Sequence, residues 1–160
     1  MAGVKRFVLA ALIGFAPVAA SAADLSHAQP VLPKENLVIV THDGTPHLFH
    51  VEMATTEDEQ EIGLMWRTSL AADQGMLFVW DTPQVSTMYM KNTLIPLDMV
   101  FVAADGTVAA IDENAVPHSL AIISSGVPVL GTIELQGGLT EALDIRVGDK
   151  VEQRIFGTAK

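Results

Sequence analysis

The feature that most limits what this chain can fold into is the cadence of short apolar runs after Gly75. Residues 76–80, 85–90, 97–102, 107–111, 127–130 and 132–135 are mostly apolar or β-branched, and 151–156 reads as a last strand. Between them stand turn formers: Asp81-Thr82-Pro83, Asp105-Gly106, Gly137-Gly138 and Gly148-Asp149. Runs this short, so punctuated, read as strands. Upstream, residues 37–40 and 46–53 flank Asp43-Gly44 and predict a hairpin. The period changes only once clearly. Thr56 followed by Glu59 is a capping box, and Ile62, Met65 and Trp66 fall at helical spacing, with Gly63 marking the helix end or a close packing contact. Residues 140–143 allow one further helical turn. The expected fold is mainly β: a single-domain sandwich or partly closed barrel with one or two short helices, a mixed α+β sheet being the alternative.

The N-terminus obeys other rules. Lys5 and Arg6 precede an apolar stretch over 7–18, and Ala20-Ser21-Ala22 supplies small residues at a cleavage position. This is the pattern of a secretory signal peptide over residues 1–22, leaving a mature chain that begins at Ala23 or Asp24. The apolar stretch falls short of the roughly 20 residues a spanning helix needs. With no cysteine, the chain has neither a lipid-attachment site nor disulfides. The expected location is therefore the periplasm, with no stable membrane association after cleavage. Residues 23–36, containing Pro30 and Pro33, read as a flexible leader, and 37–157 as the β-rich domain.

Charge narrows the partners. The chain has nine Lys and Arg; without Lys5 and Arg6, seven remain against nineteen acids, a net charge of −12. Such a surface repels nucleic acid and anionic membrane. A small-molecule ligand and a protein partner remain as expectations. No phosphate loop, nucleotide fingerprint, nucleophile elbow or clustered metal ligands occur, and no cofactor is implied.

The polar residues of 88–98 stand out against their apolar surroundings. Lys91, Asn92, Thr93 and Asp98 lie among residues that otherwise read as buried strand, where each polar group needs a partner. Arg67 and Lys91 are the only basic side chains in residues 35–145. Either can be a counter-ion in so acidic a chain; together they could meet an anionic or polyhydroxy ligand. Asn92 and Thr93 would add hydrogen bonds, and Tyr89 or Trp66 an apolar wall. Pro96 suggests that the strand ends there, leaving Lys91 to Thr93 at its mouth. Asp98 and Glu134, each inside an apolar run, are either paired structurally or available for acid–base work such as hydrolysis of a cell-envelope substrate. Met88 and Met90, two apart on a strand, offer a third reading, Cu(I) capture by thioethers, against the plainer role of filling core gaps.

Several of these residues form a recognisable set. Gly63-Leu64-Met65 with Arg67, Gly75-Met76-Leu77-Phe78, Met90-Lys91-Asn92-Thr93 followed by Pro96-Leu97-Asp98 and Phe101, Glu134-Leu135 with Gly138, and Gly148-Asp149 resemble the prokaryotic family named domain of unknown function 192. The resemblance spans about residues 37–156. Tyr89 stands where that family commonly has tryptophan, and Gln60 where it often has arginine. The resemblance implies a small, mainly β, often exported domain, and it names no activity.

Overall fold

The computed structural model describes residues 22–159; the signal sequence expected over 1–22 lies, but for Ala22, outside the described residues. Seven strands form one sheet: β1 (Lys34–Val40), β2 (Pro46–Ala54), β3 (Gln74–Met88), β4 (Leu97–Val102), β5 (Val108–Ala115), β6 (Ile123–Gln136) and β7 (Lys150–Glu152). Helix α1 (Glu57–Ile62) joins β2 to β3, α2 (Leu139–Ala142) follows β6, and a 3₁₀ turn (Arg154–Phe156) follows β7. The spatial order is β5-β4-β6-β3-β2-β1-β7. Only β2 and β3 pair in parallel, because α1 carries the chain back across the sheet between them. The sheet curls into a half-barrel. Its ends approach where Thr107 bridges Lys150 and Val151 N–H donates to the Gly106 carbonyl. The mainly β, partly closed architecture matches the cadence of the sequence.

Two apolar clusters fill the two faces. One receives side chains from all seven strands, among them Leu37, Phe49, Leu77, Val100, Val108, Ile133 and Val151, and is the interior of the curl. The other lies outside and gathers Leu64, Met76, Phe78, Met90, Leu97, Met99 and Phe101. Alternation over residues 76–79 of β3 and 99–102 of β4 sends neighbouring residues to opposite clusters, so those stretches read as continuous apolar runs.

Where the strand boundaries differ from expectation, the ladder explains it. Asp81-Thr82-Pro83 does not reverse the chain. It lies in a bulge within β3, where the pairing passes from Val79–Gly131 to Gln84–Val129. Proline, which has no N–H to donate, sits where the ladder is already interrupted. Residues 127–130 and 132–135 likewise belong to one strand, β6. Its second irregularity is bridged by Ser125, whose hydroxyl accepts from Ser86 N–H in place of a carbonyl.

The leader is seated on the fold. Gln29 is buried and its amide donates to the carbonyls of Glu59 and Gly63, the last turn of α1. Leu32 packs against the outer cluster. Upstream, the Leu25 carbonyl accepts from both Trp66 Nε1–H and Asn92 Nδ2–H. The segment read as a flexible leader thus covers the end of α1 and the turn after it.

Candidate functional site

Helix α1 is held by its capping box: Thr56 Oγ1 accepts from Glu59 N–H, and Glu59 Oε2 accepts from the N–H groups of Thr55 and Thr56. It ends at Gly63, where φ is +49° and an added Cβ would lie 3.0 Å from the Phe78 ring. The chain can therefore turn tightly over the outer face of the sheet. Residues 87–93 approach from the other side. Between them lies a cavity of about 220 Å³, walled by Leu64, Met65, Phe78, Trp80, Met88 and Tyr89.

Glu134 lines this cavity. Strand register places it between Met76 of β3 and Met99 of β4, on the outer face. The residue is 5% exposed, and its Oε2 is buried without a hydrogen-bond partner. Burial alone pushes its carboxyl up from the ordinary range to about 8, so the group is protonated at neutral pH. The backbone beside it is equally confined: a Cβ on Gly75 would lie 2.6 Å from the Glu134 carbonyl oxygen. The indole Nε1–H of Trp80 is also buried and unpartnered.

The polar residues singled out in the sequence do not converge as a group. Thr93 and Tyr89 line the cavity with Glu134. Arg67 pairs with Glu52 at 3.0 Å, and the same Glu52 oxygen accepts from Leu32 N–H. Glu52 is the lateral neighbour of Met76 on the far side from Glu134, which places the two acids two strands, roughly 10 Å, apart. Arg67 is thus a counter-ion that fastens the leader. Lys91 is exposed and outside the cavity lining. Asn92, at φ +56°, spends its amide on Leu25 O and Met65 Sδ, and its carbonyl on Trp66 N–H.

Asp98 faces the opposite way from Glu134. It pairs across the ladder with Leu135, on the interior face, where its two oxygens accept four hydrogen bonds: from the N–H groups of Asn114, Gly138 and Thr140 and from the Thr140 hydroxyl. Its lone pairs tie β4 to the end of β5 and the start of α2. Arg67, Lys91 and Asp98 thus lie apart from one another, and Asp98 and Glu134 point to opposite faces of the sheet. Met88 lines the cavity, whereas Met90 is fully buried in the outer cluster.

Sequence reasoning found Glu134, Tyr89 and Thr93 but passed over Phe78 and Trp80, which read as ordinary core. It also passed over Glu61, an exposed residue of α1 that lines the same cavity. The parity of β3 could have shown Met76, Phe78 and Trp80 on one face. Only the register could add Glu134 to it.

A curled β domain with a small cavity on its outer face, floored by a buried carboxyl, is the class of protein defined here. The family model of domain of unknown function 192, described as uncharacterised, matches residues 38–153, and the chain belongs to that family. Two crystal structures are similar to it. One, from Sinorhizobium meliloti 1021, carries a suggested role as a transcription regulator; it is 42% identical, covers 80% of this chain and 99% of its own, and superposes with a TM-score of 0.77. The other, a protein of unknown function from Novosphingobium aromaticivorans DSM 12444, is 39% identical, covers 84% and 94%, and has a TM-score of 0.75. No curated protein matches.

Proposed function

We propose that this is an exported small-molecule-binding domain whose ligand occupies the Glu134 cavity and carries no negative charge. The observation that carries this reading is the buried, unpartnered Oε2 of Glu134 in a mostly apolar cavity. Such a group costs free energy in the empty protein, and a ligand that meets it recovers that cost. An anion would find no counter-charge among the described residues, since none of the basic ones lines the cavity. The regulator role suggested for the Sinorhizobium relative is not carried over, since a chain of net charge −10 repels DNA. Export to the periplasm rests on the signal-peptide pattern, and N-terminal sequencing of the fractionated protein should begin at Ala23 or Asp24.

Amide and indole NMR against a library of sugars, amines and organic acids tests the binding reading. Ligands should shift the Trp80 indole and the amides of residues 63–65 and 87–93, and Glu134→Leu should abolish those shifts. A library that moved no resonance around the cavity would remove it.

A further inference from the structure

Resting on that reading, we propose that the ligand is a small organic cation, a primary or methylated ammonium, seated between the Glu134 carboxylate and the aromatic side chains of Phe78, Trp80 and Tyr89. Four features point to this chemistry rather than to a neutral polyol. Among the described residues, the titratable groups facing the cavity are Glu134 from β6, Glu61 from α1 and the Tyr89 hydroxyl beyond β3; β4 contributes Met99 beside Glu134, and no described Lys, Arg or His lines it. Its walls are aromatic rings and the thioethers of Met65 and Met88, polarisable groups that attract a desolvated cation. Two of the polar side chains a polyol could use are engaged elsewhere, the Gln60 amide donating to the Ala54 and Val79 carbonyls and Thr93 Oγ1 to the Lys91 carbonyl, while the buried Trp80 indole N–H stays free. Finally, the net charge of −10 raises the local concentration of cations around the protein.

The binding step balances as an exchange. The protonated Glu134 carboxyl releases its proton to solvent, and the resulting carboxylate pairs with the incoming ammonium. Counting Glu134 and the ligand alone, the site is neutral before and after. Below the Glu134 pKa the affinity for a permanent cation should therefore rise about tenfold per pH unit, and it should level off above it.

Calorimetry of the mature chain tests this with three probes: choline, its uncharged isostere 3,3-dimethylbutanol, and glucose. Choline should bind at least about tenfold more tightly than the isostere. At pH 7 it should release about one proton, read from heats in two buffers of different ionisation enthalpy. Glu134→Gln should abolish the proton release and weaken choline about tenfold or more. Equal or tighter binding of dimethylbutanol or glucose, or choline binding without proton release, would overturn the cation assignment and leave the binding site standing. No heat from any probe would overturn both.

Discussion

At the scale of single residues, two buried carboxylic acids of the same sheet have opposite circumstances. Asp98 accepts four hydrogen bonds and has no free lone pair to offer a ligand. Asp98→Ala leaves three backbone N–H groups without their acceptor and should cost about 3 kcal/mol in urea unfolding, without altering the cavity. Glu134 has burial and no partner. An unfolded glutamate ionises near 4.5, whereas the folded one keeps its proton to about 8. Between those values the unfolded state binds fewer protons, so stability falls as pH rises, by about 1.4 kcal/mol per pH unit. Below 4.5 and above 8 this contribution is flat. Glu134→Gln should remove the slope, and the difference between the two proteins' unfolding curves from pH 4 to 9 isolates it from other groups. Glu35 and Glu59 act in the opposite sense. Their carboxyls are held low, by the Arg154 guanidinium and by the Thr55 backbone N–H respectively, and the stability they add is lost as pH falls through those lowered values.

At the scale of elements, the cavity depends on how closely β3 and β6 approach and on what covers α1. Gly75→Ala would drive a methyl against the Glu134 carbonyl and the Leu135 side chain, at 2.6 and 2.9 Å. It should destabilise the protein by about 2–3 kcal/mol and displace Glu134 in the cavity, visible as an altered Trp80 indole resonance. Gln29→Ala would strip two donors from the end of α1 and should cost about 1–2 kcal/mol. Faster hydrogen exchange confined to residues 25–33 and 59–67 would report the loosened leader. The capping box and Gly63 were legible in the sequence because their signals are local and stereochemical. The leader was not, because its anchors are side-chain bonds to carbonyls about 30 to 70 residues away.

At the scale of the whole molecule, periodicity and turn chemistry were enough to read a mainly β domain and most of its strands. They failed where a turn signal and a bulge signal coincide, at Asp81-Thr82-Pro83. Nor could they pair the charges, since a basic residue near an apolar run says nothing of which acid it meets. Arg67 meets Glu52, and that choice is made by the parallel register of β2 on β3, set by the α1 crossover. The near-closure of the curl yields a prediction at this scale. β7 pairs with β1, and its first residue bridges the approach to β5. Deleting residues 148–160 should therefore abolish cooperative unfolding in circular dichroism, rather than trim a dispensable tail.

The position of β6 has a consequence for how the chain comes into being. It lies between β3 and β4, yet it is made after both, and neither can gain it as a neighbour until residues 123–136 have left the ribosome. Before then only the β1–β2 and β4–β5 hairpins and the β2–β3 pair can form, and the middle of the sheet is two open edges. A polypeptide whose centre arrives this late cannot complete its sheet until most of the chain has been made, so two apolar strand edges stay open to wrong partners for that time.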